Sequence, residues 1–199
     1  TLSGQEDQVL KVKDNIFKII RKRKYNNPYD IKPLLPFNNI VQSAISSSIM
    51  QALWDIQGKE ENKNIASIFG KNRELIEVYA NFNRSTIDRS IQGVKSKTKE
   101  ILNRGYKFVK FAPFDEVDKV MNKNDIHSAL DKGLERINVI RETLEKNTNI
   151  LIDCHWRFNY ETSLELIKQC DNFNLYWLEC PITENEENIQ DIKKIRSEA

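Results

Sequence analysis

The sequence has little from which to build a disulfide frame or a zinc site. Its three cysteines, Cys154, Cys170 and Cys180, are odd in number and lack paired metal-ligand spacing, so they read as reduced thiols. No run of 18 apolar residues occurs, which excludes a membrane-spanning helix, and no secretory pattern opens the chain. A soluble, cytoplasmic protein with no membrane partner is therefore expected. A dominant charge sign is missing too: 31 Lys and Arg face 29 Asp and Glu, for a net charge of +2. That balance argues against nucleic acid as a partner, because such proteins concentrate basic residues on one face. The one basic cluster, IIRKRK (19–24), fits a solvated helix end. With 39% apolar and 30% charged residues, the 199-residue chain can bury a real core.

Apolar periodicity predicts a mainly helical first third. Residues 4–24 place Val9, Leu10, Val12, Ile16, Phe17, Ile19 and Ile20 largely on one stripe. After an Asn- and Pro-rich loop, VQSAISSSIMQALWDIQGK reads as a second helix, with Gly58 at the expected C-cap. Trp54 and Asp55 in it read as packing and helix-surface residues, and NIASIFG (64–70) as a short helix closed by Gly. From residue 74 the texture changes to four strand–helix pairs. The strand candidates are ELIEVYANF (74–82), YKFVKFAPF (106–114), NILIDCHWRF (149–158) and LYWLECP (175–181), each followed by a helical pattern. Such alternation predicts a parallel sheet with crossover helices, either a barrel or a doubly wound sheet. No G-x-G-x-x-G follows the first strand, which weakens nucleotide binding on a doubly wound sheet.

In a (β/α)₈ barrel the chemistry sits at the C-terminal ends of the strands. Here those ends carry Asn81 and Asn83, Lys110, Asp153 with His155, and Glu179. Alternation along a strand is expected to put Asp153, His155 and Arg157 on one face, with Cys154 opposite. Asp153 and Glu179 are one strand–helix step apart, and two hard oxygen donors without Cys–His pairing favour Mg²⁺ over Zn²⁺. Singly, Asp153 has a helix-capping alternative and Glu179 a surface ion pair. His155 suits general acid/base work. Arg157 has two alternatives, a substrate carboxylate or a neighbouring acid. Lys110 is a candidate base if a nearby cation depresses its pKa, or an electrostatic partner for an enolate; a lysine snorkelling from a strand end is the structural alternative. His127 reads as a surface residue.

The ordered set SAISSSIMQALWDIQGK, IEVYANFNR, GYKFVKFAPFD, LIDCHWRFN and WLECP resembles the enolase superfamily, in its mandelate racemase/muconate lactonizing enzyme branch. The resemblance implies a partial (β/α)₈ barrel of about four units over 74–199, preceded over 1–73 by the helical part of an α+β capping domain. TLSGQ is similar to the end of the capping sheet, and the chain is expected to be a fragment, inactive alone. Also implied are Mg²⁺ held by three strand-end carboxylates, with Asp153 first and Glu179 second, and removal of the proton α to a substrate carboxylate through an enediolate. The third ligand, and a base on the opposite face, are expected past Ala199. Family members commonly assemble as homo-oligomers. The family's Lys-x-Lys at the second barrel strand is here Lys110, Phe111 and Ala112, so the second lysine is absent. Histidine two residues after the first ligand is similar to acid-sugar dehydratases, making a small-molecule sugar or hydroxy acid the expected substrate. The alternatives are a racemase or epimerase of a carboxylate, or a non-catalytic barrel homologue.

Overall fold

The computed structural model describes residues 4–118 and 120–199. Residues 1–3 of the TLSGQ segment lie outside the described residues. The chain divides into two compact units, Thr1–Ile76 and Glu77–Ala199.

The first unit is helical, with α1 (Glu6–Ile20), α2 (Ile40–Glu60) and α3 (Ile65–Ile68). Ile16 of α1 and Leu53 of α2 close with Ile31 and Leu35 around a small apolar core. Asn39 caps α2 by accepting the Gln42 N–H. The other end corrects the sequence expectation. Gly58 is inside α2, and Asn62 takes the left-handed conformation (φ 51°) that reverses the chain. The Lys63 N–H then donates to Gly58 O at 2.8 Å and the Asn62 N–H to Lys59 O at 3.2 Å, a Schellman closure. Gly58 is needed because a Cβ there would lie 2.8 Å from the Lys63 carbonyl oxygen. Trp54 packs edge-on between Tyr29 and Phe69, and Asp55 pairs with Lys59 one turn on.

The second unit alternates strand and helix: β1 (Ala80–Asn81), α4 (Ile91–Leu102), β2 (Phe108–Phe111), α5 (Lys123–Thr143), β3 (Asn149–Asp153), α6 (Tyr160–Cys170), β4 (Leu175–Glu179) and α7 (Ile189–Glu198). All pairings are parallel in the order β1-β2-β3-β4. The order never reverses, so the switch point of a doubly wound sheet is missing and the array is barrel-like. Val109, Phe111, Ile150 and Ile152 face the helices and join Val94, Ile137, Ile140 and Leu166 in the core. Alternation leaves Lys110, Asp153 and Glu179 on the other face. No described helix is long and apolar enough to cross a membrane.

Two predicted elements shrink most. ELIEVYANF pairs with β2 only at Ala80 and Asn81, and Leu75 and Ile76 are 87% and 78% exposed. Without a ladder partner the first half of that pattern does not form strand. The helix expected from Ser85 starts at Ile91, because Thr86 Oγ1 donates to Phe82 O and Ser90 caps the Gly93 N–H. Hydroxyl side chains there satisfy a turn before the helix can begin.

Gly133 in α5 lies against Phe114, which is itself wedged edge-on against Phe158. A methyl group at 133 would overlap the Phe114 ring. Gly133→Ala gains about 1 kcal/mol of helix propensity but overpacks at a cost of about 1–3 kcal/mol. Net destabilisation is expected, read as a lower midpoint in urea; a midpoint at or above the parent's would show that Phe114 moves freely.

Candidate active site

β2, β3 and β4 bring three charged side chains together at their C-terminal ends. Asp153 and Glu179 are register partners on neighbouring strands. Lys110 Nζ lies between them, 3.0 Å from Asp153 Oδ2 and 2.7 Å from Glu179 Oε1. The lysine side chain is only 9% exposed. Burial works to lower its pKa, but the hydrogen bonds and charges of Glu179 and Asp153 outweigh it and hold the ammonium above its ordinary value. In this arrangement Lys110 is an ammonium bonded to two acids.

His155 reaches the cluster by another route than the pleat. β3 ends at Asp153, and His155 and Trp156 are both left-handed, with φ of 50° and 58°. Two such residues in succession, one a tryptophan, are a costly local conformation. The turn is held because Cys154, Trp156 and Phe158 N–H groups donate to the carbonyls of Glu179, Cys180 and Pro181. Asp153 Oδ1 accepts the His155 N–H at 3.0 Å, and His155 Nε2 lies 3.2 Å from Asp153 Oδ2.

Arg157 is a correction: it does not share a face with Asp153 and His155. Its Nη1 donates to the carbonyls of Asp115 and Val117, both at 2.8 Å, bracing the loop after β2. That bond set is neither of the two roles expected for it. His127 is an outer residue beside Glu165, 3.2 Å away. Burial pushes the Cys154 thiol well above its ordinary value, and Cys170 and Cys180 are each pushed up to about 12, so none is a ready nucleophile.

A cavity of about 350 Å³ opens over these strand ends, bordered by Asn81, Asn83, Arg84, Lys110, Asp153 and His155. A larger groove of about 720 Å³ runs along α4 and α5 past Leu134, Val139 and Phe173, but it holds none of the strand-end groups. We place the site at the smaller cavity, where the chemistry is. Sequence reasoning missed the scaffold behind it. Arg89 pairs with Asp115, and Arg136 forms a two-pronged ion pair with Glu116 at 2.6 Å per contact. The one available hint was that Arg89 and Asp115 are 26 residues apart, the same strand–helix step that separates Asp153 from Glu179.

Among the described residues no group of three or more His, Cys, Asp or Glu side chains is assembled to hold a metal. Asp153 and Glu179 still fit Mg²⁺ as a partial site. They are hard oxygen donors already converging on one cationic centre, and Mg²⁺ commonly takes one or two carboxylates and fills its shell with water and substrate oxygens.

In parallel βα barrels the chemistry sits at the C-terminal rim of the strands, and that is the rim where Lys110, Asp153 and Glu179 lie here, with His155 just past it. The sequence profile described as enolase C-terminal domain-like matches residues 93–199, more than half of the chain, and the chain belongs to that family. It is 30% identical over 152 residues to D-gluconate dehydratase of Thermoproteus tenax, covering 76% of this chain and 29% of that protein. It is 31% identical over 147 residues to D-gluconate/D-galactonate dehydratase of Picrophilus torridus, covering 72% and 36%. The chain thus spans about a third of the length of these relatives. A solved enolase superfamily member from Salmonella typhimurium superposes with a TM-score of 0.78 at 16% identity, over 96% of this chain and 54% of that one. Another from Agrobacterium tumefaciens gives 0.73 at 20% identity, over 94% and 47%. These solved structures share the chain's fold, a parallel βα array of which four strands are present among the described residues, with the barrel not closed.

Proposed function

We propose that this chain carries the metal-binding and proton-transfer rim of a Mg²⁺-dependent sugar-acid dehydratase, a lyase, with residues 1–73 as the helical part of its capping domain. The supporting observation is the convergence of Lys110, Asp153, Glu179 and His155 at adjacent strand ends. Dehydration removes the proton α to the carboxylate and expels the β-hydroxyl as water; the resulting enol becomes a 2-keto-3-deoxy acid. Asp153 and Glu179 would hold Mg²⁺, which when bound offsets negative charge growing on the substrate carboxylate. His155, whose ring stands beside the Asp153 carboxylate, exchanges a proton with the substrate. Lys110 stays protonated and adds fixed positive charge where the substrate becomes more anionic. Water is partly excluded because Lys110 and Asp153 are nearly buried.

The test is incubation of the intact gene product with D-gluconate or D-galactonate and MgCl₂, following 2-keto acid formation. His155→Ala is expected to lower kcat by about 10²–10⁴-fold. Asp153→Asn and Glu179→Gln are expected to abolish the heat of Mg²⁺ binding. Full product formation by His155→Ala would remove its assigned role. Solvent deuterium entering recovered substrate without loss of water would identify a racemase or epimerase instead.

A further inference from the structure

We propose that Asn83 is a substrate-binding residue whose side-chain NH₂ group, held in one orientation by Arg89, donates to hydroxyl or carboxylate oxygens of a polyhydroxy acid in the strand-end cavity. The substrate class rests on the reading above; the orientation of the amide does not. Asn83 Oδ1 accepts from Arg89 Nη1 at 3.0 Å and from the Ala112 N–H at 3.3 Å. A guanidinium and a peptide N–H only donate, so the atom facing them has to be the oxygen, and both of its lone pairs are used. Turning the amide over would set NH₂ against two donors. The nitrogen end is therefore left for the cavity that Asn83 borders.

Arg89 itself cannot drift. Its Nε pairs with Asp115, its Nη2 donates to Ala112 O, and its guanidinium carbon stands 4.3 Å above the Phe111 ring. It is a positioning residue, acting on the cavity through Asn83. Asn81 repeats the device one pleat earlier, since its Oδ1 accepts the Asn83 N–H at 3.3 Å. With Arg84 beside them, these side chains make one wall of the cavity a row of donors, whereas Asp153 presents an acceptor. Such a wall suits an oxygen-rich anion and offers little to an amine.

A purely structural role for Asn83 needs only its oxygen, and this separates the two readings. Asn83→Asp keeps, and by its charge strengthens, the link to Arg89 while deleting the NH₂ donor. The experiment is a titration of the ¹⁵N-labelled chain with D-gluconate in the absence of Mg²⁺. The Asn83 side-chain NH₂ pair, assigned by its disappearance in Asn83→Asp, is expected to shift saturably. Asn83→Asp is expected to melt no lower than the parent yet bind gluconate about tenfold or more weakly. Arg89→Lys is expected to broaden the Asn83 pair into exchange between two orientations. An Asn83 pair unmoved by D-gluconate, or an Asn83→Asp protein binding it as the parent does, would overturn the assignment. A shift of the Asn83 pair, together with an intact gene product that forms no keto acid from D-gluconate and MgCl₂, would support it while removing the dehydratase reading.

Discussion

Lys110→Met is expected to unfold about 10 °C below the parent, a loss of about 3 kcal/mol. The magnitude follows from where the charge sits. Lys110 is the only group bonded to both Asp153 and Glu179 in the hydrogen-bond and ion-pair set of the described residues, and its side chain and that of Asp153 are nearly buried. Removing the ammonium leaves two carboxylates facing each other with little water to screen them. Glu179, 32% exposed, can turn partly outward, which keeps the loss at the lower end of the range for a broken buried pair. Adding Asp153→Asn is expected to recover stability, because it removes the acid that Lys110→Met strands. Millimolar MgCl₂ is expected to raise the melting temperature of Lys110→Met more than that of the parent, since an ion bound only by the folded state stabilises by mass action. Equal shifts in both proteins would mean that the two acids do not share the ion.

The strand ends were legible because each depends on local signals. Apolar runs closing on Lys110, Asp153 and Glu179, with helical spacing between them, mark parallel strands whose polar residues gather at one rim. The route of the chain past Asp153 was not legible. Period-two reasoning carried His155 and Arg157 onto one face, but the backbone leaves the strand through two left-handed residues, in a turn whose Cys154, Trp156 and Phe158 N–H groups bond to the carbonyls of Glu179, Cys180 and Pro181. His155 nevertheless lands against Asp153, by a turn rather than a pleat, and Arg157 ends in the loop after β2. The first strand failed for the opposite reason: its apolar pattern is strong, but only Ala80 and Asn81 find a ladder. Gly58 shows a third kind of miss, in which a glycine stands four residues ahead of the left-handed Asn62 to admit a carbonyl. Long-range pairs such as Arg136 with Glu116 have no single-sequence signature at all, because their partners are set by how α5 docks on the loops.

That pair carries the second large effect. Arg136→Met is expected to cost about 3 kcal/mol, read as the denaturant midpoint at constant m-value. The Arg136 side chain is 8% exposed. Its Nε donates to Arg89 O at 2.9 Å, its Nη1 to Pro113 O at 2.7 Å, and both terminal nitrogens to Glu116. One side chain thus ties the loop after β1 to the loop after β2, and methionine, close in length, keeps the packing while stranding two carbonyls. Arg136→Lys is expected to recover little, since a point charge cannot reproduce a planar fork. The pH dependence has a definite sign. The Arg136 hydrogen bonds hold Glu116 below its ordinary value of 4.5 against the opposing effect of burial. A carboxyl with a lowered folded pKa adds stability that is complete above its unfolded value and is lost as pH falls through the folded one. Glu116→Gln is therefore expected to flatten the acid side of the stability profile below pH 4.5 and to leave its shape above that unchanged. A Glu116→Gln profile parallel to the parent's through the acid limb would place the ion pair outside the forces that hold these loops, and with it the fixed position of Arg89 on which the Asn83 amide depends.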